Sequence, residues 1–132
     1  FINAVDPDLS KFKARGGKIL MYHGWNDTAI SPENSINYYS SVQSKMGKNQ
    51  DVVRLFMMPG MAHCRGGQGP DQVNFMAALE RWREQGVEPK VLTATKTRGA
   101  NVDMTRPICA VPQVATYKGT GSSNDADNFV CK

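Results

Sequence analysis

The sequence predicts an α/β fold in which parallel strands are joined by crossover helices. Residues 18–86 alternate short apolar runs, typical of buried strands, with segments whose apolar residues recur at helical spacing. A helix between two neighbouring strands is the connection that parallel pairing requires, so this alternation favours a parallel sheet. The composition agrees with a folded domain, because 40% of the residues are hydrophobic and 21% are charged.

The first strand and helix are marked by local signals. Residues 1–17 begin with a turn or short helix, and the apolar run at 18–22 is the first predicted strand. Ser31 can cap a helix and Pro32 fits its first position. Gly47 ends that helix. Its apolar stripe consists of Ile36, Tyr39, Val42 and Met46.

The second half of the alternation contains another strand and another helix. Residues 52–58 form the apolar strand, and the loop 65–70 is too rich in glycine and proline for regular structure. Asp71 is predicted to cap the next helix, which ends at Gly86. The predicted apolar stripe is Val73, Met76, Leu79 and Trp82. A short strand is expected at 90–95.

Residues 99–132 change in character, since polar residues, glycine and proline dominate them. We predict an irregular tail pinned by a disulfide between Cys109 and Cys131. A cross-link over a loop of this length contributes roughly 3 kcal/mol in the chain-entropy model. The third cysteine, Cys64, then stays a free thiol or has its partner elsewhere. The alternative is that all three are buried thiols.

Two polar residues that follow predicted strands suggest a catalytic pair. Asp27 comes after the first strand and His63 after the second. In α/β-hydrolases the triad order along the chain is serine, then acid, then histidine, and this pair fits the last two places. In such a triad the imidazole accepts the serine proton while the carboxylate holds its other nitrogen. Alternatively, Asp27 bonds backbone groups of its own turn, and His63 is a surface or packing residue.

The nucleophile of such a triad is missing from this sequence. No Gly-x-Ser-x-Gly motif occurs, and the donors of an oxyanion hole are absent with it. Phe1 is not methionine, so we expect the true N-terminus to lie outside the chain. Zinc is a rival interpretation, but its candidate ligands lack the usual spacings, and we predict no metal. These candidates are His23, Asp27, His63 and Cys64, of which His23 is predicted to be a structural residue.

Three stretches of this chain resemble the C-terminal part of the tannase and feruloyl esterase family. They lie at 22–32, at 59–64, and at 106–109 with 117–119. The resemblance implies that residues 1–132 are a C-terminal fragment of an α/β-hydrolase catalytic domain. It also implies that the serine and a lid, which binds calcium in the family, lie outside this chain. No cofactor is therefore expected within it.

The resemblance also assigns roles to individual residues. Asp27 corresponds to the family's acid and His63 to its base. Cys64 corresponds to a cysteine bonded to another beside the serine, and Cys109 and Cys131 look like the family's C-terminal disulfide. Family members are mostly secreted or periplasmic, which suits disulfide use.

The predicted function is hydrolysis of aromatic carboxylic esters, of feruloyl or galloyl type, by a Ser-Asp-His mechanism. The chain alone is expected to be inactive, and its partners are a small ester substrate and the rest of the same protein. Alternatives are another α/β-hydrolase, of dienelactone hydrolase or peptidase type, and a non-catalytic binding domain. A Cys-Ser pair upstream would distinguish the enzyme from a binding domain, and another α/β-hydrolase would not explain the adjacent His63 and Cys64.

Charge and hydropathy argue against two other classes of partner. The net charge is +4, but the basic residues are scattered and lack interleaved aromatic residues, so no nucleic-acid partner is predicted. No apolar run approaches the roughly 20 residues that span a bilayer, so no membrane partner is predicted either.

Overall fold

A parallel pair of strands joined by a crossover helix forms the centre of the fold, as predicted. The computed structural model describes residues 4–48 and 50–132, so the first three residues of the predicted first segment lie outside it. Strand β1 (Ile19–Gly24) pairs in parallel with β2 (Val53–Met58). Helix α2 (Pro32–Met46) connects them. A short helix, α1 (Ser10–Ala14), precedes β1.

The boundaries of α2 follow the predicted capping signals. The Ser31 hydroxyl oxygen accepts a hydrogen bond from the backbone N–H of Glu33 at 3.3 Å, and Pro32 is the first helical residue. Gly47 follows the last residue of the helix. Tyr39 and Val42, both from the predicted stripe, are buried.

Strand β2 lies inside the fold, whereas β1 lies at its edge. Ala110 forms an antiparallel bridge with Phe56, so β2 has partners on both sides. In the part of the chain that the structure describes, β1 pairs with β2 alone. Side chains of β2 enter two apolar clusters, as expected for a strand buried on both faces. One contains Phe56, Met58, Met61, Ala94 and Ile108; the other contains Tyr39, Val52, Val53 and Leu55.

Helix α3 (Phe75–Gln85) begins later than the sequence predicted, so the prediction that Asp71 caps it was wrong. Asn74 is the capping residue, and its side-chain oxygen accepts from the N–H of Ala77 at 3.0 Å. The backbone N–H groups of Asp71 and Gln72 instead donate to the carbonyl oxygen of Thr95, at 3.2 and 3.0 Å. This pairing keeps the residues before the helix extended.

The apolar stripe of α3 is only partly as predicted. Met76 is 63% exposed and therefore does not belong to the buried face. Trp82 is 2% exposed and packs in the interior, as predicted. Lys18 and Arg54 place their cationic groups 5.2 and 5.3 Å from its ring centre.

The prediction of an irregular tail was wrong for much of residues 99–132. Strand β3 (Val91–Arg98) forms an antiparallel hairpin with β4 (Asn101–Cys109), and β5 (Ala115–Tyr117) pairs with β6 (Phe129–Cys131). A single 3-10 turn covers Ala126–Asn128. In β4 the apolar residues Val102, Met104 and Ile108 alternate with polar ones, but Arg106 breaks the alternation and Pro107 lacks a backbone N–H, so the strand signal is weak.

The predicted disulfide between Cys109 and Cys131 is present. It joins the last residue of β4 to the last residue of β6. The tail is therefore attached covalently to the hairpin that packs beside β2. Among the described residues, no helix has the length and apolarity needed to cross a bilayer.

Candidate active site

Asp27 and His63 are in direct contact, at the same end of the parallel strand pair. The Nδ1 atom of His63 lies 2.7 Å from Oδ2 of Asp27. The Asp27 side chain is only 3% exposed, whereas that of His63 is 50% exposed. Within residues 4–48 and 50–132, Nε2 of His63 has no hydrogen-bond partner. The arrangement leaves one imidazole nitrogen free to exchange a proton with a bound molecule.

The Asp27 carboxylate accepts hydrogen bonds at both oxygens. Oδ1 accepts from the backbone N–H groups of Ala29 and Ile30, at 2.8 and 2.9 Å. Oδ2 contacts His63 at 2.7 Å and Nε2 of His23 at 3.1 Å. Both contacts expected of Asp27 from the sequence are therefore present. Oδ1 accepts from backbone groups of its own turn, and Oδ2 contacts an imidazole ring.

These contacts keep Asp27 ionised. The Ile30 N–H contributes most, followed by the bonds from His63 and Ala29, and together they hold the pKa of Asp27 far below its ordinary value despite burial. An aspartate titrates near pH 3.9 in an unfolded chain. Because the folded pKa is lower, this carboxylate stabilises the fold above that pH, and its contribution is lost as the pH falls further.

Gly24 lets the loops that carry the two residues approach each other. A Cβ atom at Gly24 would collide with the carbonyl oxygens of Met61 and Ala62. With glycine there, the N–H of Asn26 donates to the Met61 carbonyl at 3.0 Å. The N–H of Trp25 donates to the Met58 carbonyl at the same distance. Backbone hydrogen bonds therefore fix the Asp27 loop against the His63 loop.

Substituting Gly24→Ala in the full-length protein is expected to separate the two loops. Because backbone atoms would have to move, the free energy of unfolding should fall by about 1–3 kcal/mol. Displacing the pair by roughly 1 Å should lower kcat about 100-fold. Gly47→Ala is the matched control, since Gly47 has φ +89° and the change strains the backbone away from the site. Equal activity of both variants per folded molecule would contradict this role for Gly24.

The His63 loop is a small closed hairpin anchored to β3. Met61 and Gly67 form an antiparallel bridge, and the N–H of Gly69 donates to the carbonyl of Gly60 at 3.0 Å. Lys96 donates to the Gly67 carbonyl at 2.8 Å. Asp71 accepts from the N–H of Gly66 at 2.7 Å. These bonds hold the loop from both sides and so restrict where His63 can lie.

Cys64 stands at the tip of this loop in an unusual backbone conformation. Its φ is +59°, and it is the non-glycine residue with positive φ in the described part of the chain. A residue with a Cβ atom pays roughly 1–2 kcal/mol for that conformation. Its thiol is exposed and unbonded. The chain therefore carries an exposed thiol directly beside His63.

His23 lies directly beside the pair. It was predicted to be a structural residue near the site, hydrogen-bonded at the strand end, and the structure adds a direct contact with Asp27. The sequence carries only a weak signal for that contact, because it shows the two residues four positions apart but not the ring orientation that joins them. The zinc alternative gains no support, since no three His, Cys, Asp or Glu side chains of the described residues are arranged to hold a metal ion.

An apolar cavity of about 610 Å³ lies beside this region. Trp25, Pro59 and Pro70 border it together with residues of the tail. Neither Asp27 nor His63 lines it, so their contact gives no reason to assign a substrate to this cavity.

Comparison with known proteins gives one consistent result. The family model described as tannase and feruloyl esterase matches residues 1–132. The mono(2-hydroxyethyl) terephthalate hydrolase of Piscinibacter sakaiensis is 40% identical over 97% of this chain and 22% of its own length. The structure of feruloyl esterase B from Aspergillus oryzae has a TM-score of 0.89 and 33% identity, over 96% of this chain and 29% of its own.

A tannin acyl hydrolase from Aspergillus niger is a further structural match. Its TM-score is 0.81 at 32% identity, over 97% of this chain and 25% of its own. The chain therefore spans about a quarter of the length of these relatives. Its fold matches the corresponding part of the two solved structures.

Proposed function

We propose, because this chain belongs to the tannase and feruloyl esterase family, that the protein containing it hydrolyses carboxylic esters with Asp27 and His63 as two members of a triad. The observation that carries the proposal is the 2.7 Å contact between His63 Nδ1 and Asp27 Oδ2. A buried carboxylate on one ring nitrogen and an exposed second nitrogen are what general acid–base catalysis of ester cleavage requires.

In this mechanism His63 works twice. Its Nε2 atom removes the proton from a serine hydroxyl as that oxygen attacks the ester carbonyl. The resulting imidazolium then donates the proton to the departing alcohol. Water repeats the sequence to release the acid. Asp27 remains ionised, holds Nδ1–H in place and stabilises the positive charge on the ring.

The serine and the oxyanion hole are proposed to come from outside this chain. Two features support this. The described residues leave the outer edge of β1 unpaired, and the relatives are about four times longer. We propose that residues 1–132 form the C-terminal part of an α/β-hydrolase domain. The family's calcium would lie in the lid, and no residue of this chain is assigned to it.

The proposed substrates are esters of aromatic carboxylic acids. The matched relatives are named for feruloyl esters, for tannin and for a terephthalate monoester. The substrates in these names share an aromatic acyl group and differ in the group attached to it. The shared chemistry is therefore proposed for this protein.

Turnover of the full-length protein tests the proposal. Methyl ferulate, methyl gallate and mono(2-hydroxyethyl) terephthalate should be assayed beside an aliphatic ester such as methyl butyrate. Hydrolysis of at least one aromatic ester, lost on treatment with a serine-directed organophosphonate, is expected. Preference for methyl butyrate would instead favour another α/β-hydrolase. No hydrolysis, together with no Cys-Ser pair upstream, would favour a binding domain.

The isolated chain is expected to be inactive on the same esters. It contains the acid and the base, but neither the nucleophile nor the oxyanion donors, and most of the rate acceleration depends on them together. Hydrolysis by the purified chain that disappears in His63→Ala would contradict the proposal. A signal that survives His63→Ala would come from a contaminating esterase.

Cys64 is proposed to form a disulfide with a cysteine beside the serine. Such a bond would hold the histidine loop and the nucleophile loop together. Under denaturing, non-reducing conditions the isolated chain should show one free thiol, because Cys109 and Cys131 are joined in a disulfide. In the full-length protein, Cys64→Ser should add one reactive thiol and lower the melting temperature. An unchanged thiol count would contradict this pairing.

Export to an oxidising compartment is proposed as well. The disulfide between Cys109 and Cys131 supports it, because such bonds persist mainly in secreted and periplasmic proteins. Fractionation of the source cells, with the thiol count of the recovered protein, checks this location.

A further inference from the structure

Asp27 Oδ2 lies between two imidazole rings, and the proposed mechanism uses only one of them. His63 Nδ1 contacts this oxygen at 2.7 Å and His23 Nε2 contacts it at 3.1 Å. The His23 side chain is 12% exposed, against 50% for His63. The His23 ring is therefore largely shielded from solvent, and its contact with Asp27 needs a functional explanation.

The neighbours of His23 fix which nitrogen carries its proton. Nε2 lies 3.1 Å from Asp27 Oδ2 and 3.1 Å from the carbonyl oxygen of Ile30. Both are acceptors, so Nε2 must be the donor. Nδ1 lies 2.8 Å from the hydroxyl oxygen of Ser35. A neutral ring in the Nε2–H form satisfies every contact, provided that Ser35 donates its hydroxyl proton to Nδ1.

Ser35 behaves differently from other serines of the same helix. Ser41 and Ser44 donate to the carbonyl oxygens four residues before them, at 2.8 and 3.0 Å. This is the usual bond of a serine within a helix. The Ser35 hydroxyl is directed to His23 instead. Helix α2 thus contributes a side chain to the strand end that carries the acid.

We infer that His23 and Ser35 form a positioning pair that holds Oδ2 of Asp27 toward His63. The inference rests on the proposed function. Ser35 orients the His23 ring and selects its Nε2–H form, and His23 then gives Asp27 Oδ2 a second donor. With Oδ1 held by Ala29 and Ile30, the carboxylate cannot rotate away when His63 becomes an imidazolium during turnover.

The second donor also moderates the attraction between Asp27 and His63. A hydrogen bond from His23 withdraws electron density from Oδ2, so losing it would leave a stronger partner for the imidazolium. The acid limb of the pH–rate profile should then move to higher pH. Among the described residues, Asp27 is the ionisable side chain that is hydrogen-bonded to the His23 ring and to the His63 ring. Cys64 and Arg65 are the ionisable residues next to His63 in its loop.

Four variants of the full-length protein test the pair. His23→Leu should lower kcat about 10- to 100-fold, with KM changed less than about twofold, because only positioning is lost. His23→Gln should recover most of this loss, since its terminal amide can donate to Asp27 from nearly the same place. The kcat of Ser35→Ala should lie between those of His23→Leu and His23→Gln. Ser41→Ala is the matched control and should have wild-type activity.

The pH profile separates positioning from a general loss of structure. His23→Leu should move the acid limb of kcat/KM to higher pH, and His23→Gln should restore it. A purely structural role would lower activity and melting temperature without moving that limb. A folded His23→Leu protein with wild-type kcat and profile would overturn the inference. So would a His23→Gln protein no better than His23→Leu.

A measurement independent of turnover completes the test. In full-length protein labelled with ¹⁵N-histidine, the resonances lost in His23→Gln should show a ring that carries its proton on Nε2. A ring protonated on Nδ1 alone would overturn the inference. A wild-type protein that shows the expected ring but hydrolyses none of the esters would refute the proposed function, while supporting the His23–Ser35 arrangement.

Discussion

Replacing His63 with alanine in the full-length protein is expected to lower kcat by about 10⁴- to 10⁶-fold. Loss of the histidine from a serine triad removes both the base for the nucleophile and the acid for the leaving group, so the effect falls in this range. KM should change little, because the ring has its partner in Asp27 rather than in a binding pocket. Steady-state kinetics on the best aromatic ester measure both constants.

Two comparisons make the His63→Ala result specific. Gln68→Ala changes another exposed side chain of the same loop and should keep wild-type activity. The melting temperature of His63→Ala should stay close to that of the wild type, because half of the His63 side chain is exposed. A variant that retains more than about a hundredth of wild-type kcat would show that another group performs the proton transfers.

The contact between Asp27 and His63 was predictable because it depends on topology. Strands joined by a crossover helix run in parallel, so the loops after β1 and β2 leave the sheet at the same end. Caps such as Ser31 and Pro32 are local signals and gave the helix boundary directly. The Asp27 and His63 side chains, which follow these two strands, are then close enough to form a hydrogen bond.

Other features depend on contacts that no local pattern encodes. Asp71 is a good capping residue, but the bridge between Gln72 and Thr95 of β3 keeps that stretch extended and moves the cap to Asn74. Strand β4 is stabilised by pairing with β3 rather than by a strong apolar alternation. Tertiary pairing overrides local preference in both cases.

The role of His23 belongs to the same class. Its bond to Asp27 needs a ring orientation that Ser35 sets, and Ser35 lies on a different element. The sequence shows a histidine at a strand end and a serine in a helix, neither of which is unusual. Gly24 is similar, since the reason for glycine appears only when the Met61 carbonyl is seen against it.

Replacing Asp27 with asparagine is expected to lower kcat/KM by about 10⁴-fold, the loss typical when the acid of a serine triad becomes an amide. The surrounding donors dictate how the amide must lie. The N–H groups of Ala29 and Ile30 need an acceptor, so the amide oxygen takes the place of Oδ1. The NH₂ group then occupies the place of Oδ2 and points at both imidazoles.

That orientation reverses the hydrogen bonding at His63. A donor opposite Nδ1 favours the ring with its proton on Nε2, and this form cannot accept the serine proton. The same NH₂ group also faces the proton on His23 Nε2, so the hydrogen bond between His23 and residue 27 is lost. Asp125→Asn is the matched control, because Asp125 accepts a backbone bond from Asp127 in the tail and has no contact with either histidine. If Asp27→Asn keeps its fold and more than a tenth of wild-type kcat/KM, Asp27 is not the acid of the triad.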